Sequence, residues 1–248
     1  MRLSVSADVF TLPMFDAIRP WLARLPAGRF PTRDELNRIM PAGYRCVAPD
    51  GDVRYYERRI VESGEIATRA ENWHDLFNAL AWCAFPQTKA AISARHWHNL
   101  PLAQPGRRGP ERDFLTVLDE SGGLAVCRNP ELLMLWREHR WTELFWQRRQ
   151  EVRRDMRFLL LGHASCEQSL APFSGMTAKA VVFGADWFEA SQAELDAELG
   201  RRIDAGQWQA LKRESLPLPF LGIPGWWPDN AEPAYYADAT YFRPKPGA

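Results

Sequence analysis

Two pairs of polar residues are spaced for chemistry on one face of a helix, in or beside strongly apolar segments. His74 and Asn78 interrupt the apolar stretch ENWHDLFNALAWCAFP, residues 71–86. His163 and Glu167 follow the apolar stretch RFLLLG. Residues four apart share a helix face, so each pair can contact one ligand. An imidazole or amide buried without a partner costs about 1–3 kcal/mol, so we expect these groups to be hydrogen-bonded or functional.

Histidines and carboxylates from distant parts of the chain could together bind a divalent metal ion. Imidazole and carboxylate ligands suit zinc, manganese or iron, and the bound ion activates water for hydrolysis. The spacing of His163 and Glu167 fits two ligands on one helical turn, although no third ligand follows them. No other cofactor is indicated, because the chain has no phosphate-loop or dinucleotide-binding fingerprint. The candidate metal ligands are His74, Asp119, Glu120, His163 and Glu167.

The same histidines could instead perform acid–base catalysis on an anionic small molecule. Histidine titrates near neutrality, so His74 and His163, with Asp75, can move a proton during hydrolysis or group transfer. The substrate would then be phosphorylated or otherwise anionic, because basic side chains are available to bind it. The candidate ligand-binding residues are Asn78, Lys89, Arg107, Arg108, Arg112, Asp113 and Lys179.

Each of these polar residues also has a structural interpretation. His74 can donate to a backbone carbonyl, Asp75 can pair with an arginine, and Asn78 can tie a loop to the core. For the whole chain, the alternative to an enzyme is a non-catalytic binding or scaffold protein whose aromatic C-terminal tail engages a protein partner. An enzyme predicts that His74 and His163 converge in an open cleft, whereas a scaffold predicts them apart or sealed.

Composition excludes several broad classes of protein. The 31 basic residues balance 31 acidic ones, so no net positive charge attracts nucleic acid or an anionic membrane. No segment is long and apolar enough to cross a bilayer, and the N-terminus lacks the features of a signal peptide. The four cysteines show no paired spacing typical of a thiolate zinc site. We therefore expect a soluble, cytoplasmic protein, and no feature of the sequence indicates its oligomeric state.

Helices are predicted where apolar residues recur at spacings of three and four. The central one covers residues 71–86, with Glu71 or Asn72 as its cap and Pro86 at its end. A second helix should follow over residues 87–98. Further helices are predicted over residues 33–40, after a Thr32–Glu35 capping box, and over residues 130–150 and 192–203, and residues 163–167 should begin another.

Strands are predicted in two hairpins and two isolated segments. Residues 44–47 and 53–60 should pair around the turn at residues 49–52, and residues 114–118 and 124–127 around the turn at 119–123. Asp119 and Glu120 would then be turn residues. Single strands are expected near residues 157–162 and 177–183, and the proline- and glycine-rich residues 102–111 are expected to form a mobile loop.

The predicted fold is one α+β domain over residues 1–248. It has a small, mainly antiparallel sheet covered by helices, with the helix of residues 71–86 at its centre. The extended tail of residues 216–246 is rich in proline and tryptophan and should wrap the surface while burying Phe220, Trp226 and Trp227.

Several long phrases of this sequence together resemble a known family. They are NWHDLFNALAWCAFPQTKAA, RDFLTVLDESG, LGHASCEQSLAPFSGMTAKAVVF and PLPFLGIPGWWPDN, with YFRP near the end. In this order, across residues 10–244, they resemble an uncharacterised bacterial family, domain of unknown function 3025. The resemblance implies one family-length domain and no particular activity. Some relatives are labelled transcriptional regulators, but this chain has neither a basic recognition helix nor a helix-turn-helix pattern.

Overall fold

The computed structural model describes residues 7–49, 56–100 and 109–245. The strands in these ranges are β1 Arg45–Val47, β2 Glu65–Ala67, β3 Gly122–Cys127, β4 Met156–Leu160, β5 Ala178–Phe183 and β6 Ser215–Leu218. The α-helices are α1 Arg19–Leu22, α2 Arg33–Asn37, α3 Tyr56–Ser63, α4 Trp73–Ala84, α5 Pro86–Asn99, α6 Pro110–Ser121, α7 Pro130–Arg137, α8 Arg149–Asp155, α9 His163–Gln168, α10 Gln192–Asp204 and α11 Trp208–Glu214. No helix of these ranges is both long and apolar enough to cross a membrane.

The main sheet has four strands in the order β4-β3-β5-β6. Strand β3 pairs antiparallel with β4 and parallel with β5, and β5 pairs antiparallel with β6. All six residues of β3 are buried, as a strand covered on both faces requires. The sheet is thus mixed but mainly antiparallel, and the predicted α+β class is confirmed. A separate pair, β1 and β2, runs parallel.

The predicted central helix is confirmed as α4. The Asn72 side chain caps it by accepting from the backbone N–H of Asp75 at 2.9 Å. Of its 12 residues, ten are buried, and the exposed fractions of Leu80 and Phe77 are 0% and 1%. Burying such a side chain stabilises the fold by about 1.5–3 kcal/mol. The helix therefore anchors the core and carries its polar residues into it.

Proline 86 ends the central helix and begins the next one. Helix α5 has no cap from its own chain neighbours, but Asp196 of α10 accepts from the backbone N–H groups of Gln87 and Thr88 at 3.0 and 2.8 Å. An acidic side chain at a helix N-terminus also interacts favourably with the helix dipole. This contact fixes the start of α5 and with it the position of Lys89.

The first predicted hairpin is wrong. Residues 56–63 form helix α3, and β1 pairs in parallel with β2 instead. A short apolar run fits a strand and a helix alike, and here Ile60 packs inward while Val61 is 45% exposed. Residues 50–55, which include most of the predicted turn, lie outside the described residues.

The second predicted hairpin is also wrong. Pro110 begins α6, whose buried residues Phe114, Leu115 and Leu118 form one helical stripe. Strand β3 follows directly at Gly122, where a Cβ atom would lie 2.1 Å from the Leu118 carbonyl oxygen. Residues 119 and 120 therefore lie in the last turn of a helix and not in a hairpin turn.

The predicted long helix of residues 130–150 is divided into three. Helix α7 ends at Arg137, and His139 has a left-handed backbone with φ of 53°. A π-helix, Thr142–Gln147, and then α8 complete the segment. A non-glycine residue in the left-handed region interrupts a helix, which periodicity of apolar residues does not reveal.

The other predicted helices and strands are present, whereas residues 102–108 of the predicted mobile loop lie outside the described residues and its last two residues begin α6. The Thr32–Glu35 capping box closes in both directions at the start of α2, and β4, α9, β5 and α10 lie where the sequence predicted them. The expected wrapping tail is also present, starting at β6. Phe220 and Trp226 are buried, whereas Trp227 is only half-buried.

Buried polar contacts hold the tail in place. The Asn230 amide donates to the carbonyls of Leu221 and Ile223 at 2.8 and 2.7 Å, and the Tyr241 hydroxyl donates to the Met176 carbonyl at 2.8 Å. Each of these bonds satisfies a backbone oxygen that is removed from water. The tail is therefore an integral part of the core.

Candidate functional site

Three helices meet at the candidate site. His74 lies in the first turn of α4, and His163 is the first residue of α9. The last turn of α6 contributes Asp119 and Glu120. The end of α6 and the start of α9 approach so closely that a Cβ atom on Gly162 would lie 2.5 Å from the Glu120 carbonyl oxygen. Only glycine permits this approach, so Gly162 sets the distance between His163 and Glu120.

The two histidine side chains converge although they lie 89 residues apart in sequence. Their Nε2 atoms are 3.2 Å apart. A carboxylate oxygen of Glu120 lies 3.4 Å from the Nε2 atom of His163. One ligand atom from each of these three residues lies within 4.8 Å of the others. The arrangement matches the type of ligand cluster that surrounds a metal ion.

The other ring nitrogen of each histidine faces an oxygen acceptor. The Nδ1 atom of His163 lies 2.8 Å from the backbone carbonyl oxygen of Asp119, which can only accept, so this nitrogen carries the proton. The Nδ1 atom of His74 lies 3.0 Å from a Glu167 carboxylate oxygen, and an ionised carboxylate also only accepts. In the neutral form of each ring, Nε2 is therefore left with a lone pair.

Burial shapes the protonation of the groups around the histidines. Burial, followed by the nearby Lys89 charge, lowers the pKa of His163 to about 3, so this ring is neutral near pH 7. Burial, with a further contribution from the Asp119 carboxylate, raises the pKa of Glu120. For Asp119 burial acts in the same direction, but the charge and the hydrogen bond of Lys89 outweigh it, so the pKa of Asp119 falls below its usual value.

Lys89 is a buried cation of the site, with an exposed fraction of 3%. Its Nζ donates to Asp119 at 2.5 Å and to the Asn78 side-chain oxygen at 2.8 Å, and it lies 5.8 Å from the centre of the Trp82 ring. A buried charge requires such partners. The ion pair holds Asp119, whose backbone oxygen in turn orients His163.

The histidine pair opens into a cavity of about 400 Å³. Its described lining combines charged and polar groups with an apolar wall formed by Ile60, Trp82 and Ile92. The remaining lining residues are Pro49, Tyr56, Glu57, Ala67, Arg69, His74, Asp75, Asn78, Lys89, Ser93, His96, Arg112, Thr116, Asp119, Glu120 and His163. A cavity of this size accommodates a small organic molecule.

Most of the predicted site residues meet in this one cavity. They are His74, Asp75, Asn78, Lys89, Arg112, Asp119, Glu120 and His163. Glu167 does not line the cavity but contacts the Nδ1 atom of His74. Asp75 is bound through both carboxylate oxygens to the Arg69 side chain at 2.8 and 2.9 Å. This pairing with an arginine agrees with the structural interpretation of Asp75 rather than with a catalytic role.

Two predicted ligand-binding residues of the described ranges, Asp113 and Lys179, do not line the cavity. Asp113 is exposed on α6. Lys179 lies on β5 and does not line the cavity, and burial together with the nearby Lys212 charge lowers its pKa. Arg108 lies outside the described residues, as does its neighbour Arg107.

Several cavity residues were not among the predicted ones. Ser93 and His96 follow the predicted Lys89 at spacings of four and three on α5, which is a signal that the sequence already contained. Tyr56 was missed for a different reason, because it lies at the start of a helix that was predicted as a strand. Correct assignment of α3 would have placed its first turn beside α4 and α5.

Comparison with known proteins places the chain in one family. It has no significant match to a curated protein or to a solved structure. The model of the family described as "Protein of unknown function (DUF3025)" matches residues 45–246, so the resemblance predicted from the sequence is confirmed, although the matched region begins later than residue 10. The match includes every described residue of the cavity. The chain therefore belongs to the DUF3025 family of proteins of unknown function.

Proposed function

We propose that this protein is a divalent-metal-dependent hydrolase that acts on a small anionic molecule in the cavity beside His74 and His163. The observation that carries the proposal is the pair of Nε2 atoms 3.2 Å apart, which both bear lone pairs when the two rings are neutral. Two lone pairs at this distance repel each other, and a cation between them converts the repulsion into two bonds. The partners of both Nδ1 atoms prepare the rings for this role.

The spacing of the candidate ligand atoms fits zinc. Zinc binds imidazole nitrogen at about 2.0–2.1 Å, so ligand atoms in a tetrahedral site are about 3.3–3.4 Å apart. The His74–His163 and His163–Glu120 separations are 3.2 and 3.4 Å. Two histidines with one glutamate leave a fourth position for water, which is the arrangement of catalytic rather than structural zinc sites.

The shell around the ligands supports the same proposal. Glu167 and the Asp119 carbonyl hold the two Nδ1–H groups, as carboxylate and carbonyl partners do for metal-binding histidines. When bound, a divalent ion supplies a nucleophilic water near neutral pH and polarises a substrate oxygen. The protein's own contribution is to orient both rings and to bind the substrate beside them.

The cavity lining supports an anionic substrate. The described lining carries three cationic side chains, Arg69, Lys89 and Arg112, and four carboxylates, Glu57, Asp75, Asp119 and Glu120. A bound divalent ion would therefore change the net charge of the lining from about −1 to about +1. The Trp82 ring offers an apolar surface for the rest of the molecule. The scaffold alternative has less support, because Phe220 and Trp226 of the tail are buried and unavailable to a partner.

Isothermal titration of chelator-treated protein with zinc tests the metal part of the proposal. We expect one ion per chain, with affinity reduced by at least about a hundredfold in His74→Ala, His163→Ala and Glu120→Ala. His98→Ala is the matched control, because His98 is exposed and does not line the cavity. Equal zinc affinity in wild type and all three variants would refute this ligand set.

Activity measurements test the hydrolytic part. Zinc-loaded protein should hydrolyse members of a panel of phosphomonoesters, carboxylic esters and amides of small anionic molecules. Chelation and each of the three ligand substitutions should abolish the activity, whereas His98→Ala should retain it. Activity that survives in the chelated protein would contradict metal dependence.

A further inference from the structure

A second set of polar contacts leads from the buried lysine to the hydroxyl of Tyr56. Lys89 Nζ donates to the Asn78 side-chain oxygen at 2.8 Å, and the Asn78 amide nitrogen donates to the Tyr56 hydroxyl oxygen at 3.1 Å. The residues belong to α5, α4 and α3 respectively. All three line the cavity that contains the candidate metal ligands.

The direction of each hydrogen bond follows from the chemistry of its ends. An ammonium group only donates, so the oxygen of the Asn78 amide must face Lys89 and its NH₂ group must face Tyr56. The Tyr56 oxygen consequently accepts, and its own hydrogen is directed elsewhere. Within the described part of the chain no acceptor for that hydrogen is present. Tyr56 thus holds an O–H donor available to a molecule in the cavity.

Tyr56 remains a neutral donor across the physiological range. Burial of the hydroxyl, opposed in part by the Asn78 hydrogen bond, raises its pKa, and the carboxylates of Asp119 and Asp75 contribute in the same direction. The residue as a whole is 41% exposed, so its ring borders solvent while its hydroxyl lies beside the buried Asn78. This position allows contact with a molecule that enters from outside.

The hydroxyl lies beside the helix face that carries a metal ligand. His74 and Asn78 are one helical turn apart on α4, a rise of about 6 Å. A molecule that contacts the metal ligands with one group can therefore reach Tyr56 with another. An ammonium group of a substrate would not bind at this position, because it and the Tyr56 O–H are both hydrogen-bond donors.

We propose that the Tyr56 hydroxyl determines substrate specificity by donating a hydrogen bond to an anionic oxygen, phosphoryl or carboxylate, of the substrate held at the metal ligands. This inference rests on the proposed function and names the group that recognises the substrate. Lys89 and Asn78 are positioning residues in it, since they orient Tyr56 without needing to touch the substrate.

Anion binding by zinc-loaded protein, dialysed to remove free zinc, tests this inference with inorganic phosphate as the probe. Tyr56→Phe removes only the hydroxyl. We expect zinc affinity within about twofold of wild type and phosphate affinity reduced by roughly ten- to a hundredfold, the range for a hydrogen bond to a charged group. Tyr235→Phe, which alters a hydroxyl outside the cavity, should leave both affinities unchanged.

The outcomes separate this inference from the proposed function. Equal phosphate affinity in wild type and Tyr56→Phe, with zinc bound by both, overturns the role of Tyr56 and leaves the metal site standing. Absence of phosphate binding to the zinc-loaded wild type also overturns the inference. Failure of the wild type to bind zinc overturns the proposed function itself.

Discussion

The Nδ1 atoms of His74 and His163 each face an oxygen acceptor, and these two contacts determine the chemistry of the site. In neutral rings whose Nδ1 atoms both donate, the two Nε2 atoms can only accept, and they lie 3.2 Å apart. A structural pair of histidines would more simply place a donor opposite an acceptor. The metal site therefore depends on how strongly the surrounding groups hold the proton of each ring on Nδ1.

Glu167→Gln tests the outer partner of His74. A neutral amide can present either a donor or an acceptor to Nδ1, so the ring is held less firmly in the metal-binding tautomer. We expect zinc affinity to fall by about 10–100-fold in isothermal titration. The free energy of unfolding should change by less than about 0.5 kcal/mol, because the Glu167 side chain is 39% exposed.

Glu189→Gln is the matched control for this substitution, since the Glu189 side chain is 91% exposed, lies 3.9 Å from Arg128 and does not line the cavity. It should alter neither zinc affinity nor stability. Identical zinc affinity in Glu167→Gln and Glu189→Gln would show that Glu167 does not orient His74.

Lys89→Met tests the buried ion pair. The substitution keeps a long apolar side chain but leaves the Asp119 carboxylate buried without its cation, which typically costs 3–5 kcal/mol, so we expect a loss of about that size in urea unfolding. Lys245→Met is the control, because the Lys245–Glu138 pair is about half exposed on both sides, and such surface pairs contribute about 0–1 kcal/mol. Similar losses in both variants would contradict the structural importance of Lys89.

At the scale of elements, the site depends on the last turn of α6 meeting the first turn of α9. The sequence predicted α4, α5, β4, α9 and β5, because their apolar periodicity or run length is distinctive. It did not predict α3 or α6 as helices. Residues 114–118 are apolar and short enough to fit either class, and only their packing against neighbouring elements decides between them.

Those two errors limited what could be known of the site. Asp119 and Glu120 were recognised as candidate ligands, but as hairpin residues they had no defined relation to His163. Tyr56 was not recognised at all, since a strand residue offers no reason to face α4. Lys179 is an error of the opposite kind, a predicted ligand-binding residue that does not line the cavity. Its position depends on how the sheet packs, which a single sequence does not show. The sequence thus identified candidate residues more reliably than it predicted which of them lie close together in the fold.

Gly162→Ala tests the contact between α6 and α9. The added Cβ atom would lie 2.5 Å from the Glu120 carbonyl oxygen, so one of the two helix ends must move. We expect a loss of about 1–3 kcal/mol in urea unfolding, as for overpacked cores. Zinc affinity should fall as well, because the shift separates Glu120 from His163.

Gly184→Ala provides the comparison, since a Cβ atom there meets no atom within 4 Å and the backbone is in an ordinary extended conformation. This variant should keep wild-type stability and zinc affinity. Unaltered zinc affinity in Gly162→Ala would show that the approach of the two helices does not set the ligand geometry.

For the whole molecule, a metal ion at this site would connect segments that are far apart in the sequence. His74, Glu120 and His163 belong to α4, α6 and α9, and these helices pack against the same core as the main sheet. The tail contributes to that core through Phe220 and Trp226 rather than serving as a free arm. Binding of an ion to the folded state alone should therefore stabilise the entire domain.

Thermal unfolding with and without zinc measures this stabilisation. At a free zinc concentration of 100 times Kd the folded state gains about 2.7 kcal/mol, and for a chain of this length each kcal/mol raises Tm by about 2–4 °C. We expect an increase of about 5–10 °C in wild type and none in His163→Ala. An equal increase in both proteins would place the stabilising ion elsewhere.

A crystal structure of the zinc-loaded protein, with anomalous diffraction recorded at the zinc absorption edge, tests the metal site most directly. We expect one strong anomalous peak about 2.0–2.1 Å from the Nε2 atoms of both His74 and His163, with the Glu120 carboxylate as a third ligand. A zinc-loaded crystal with no peak between these two nitrogens, or with zinc bound only at other residues, would contradict this expectation.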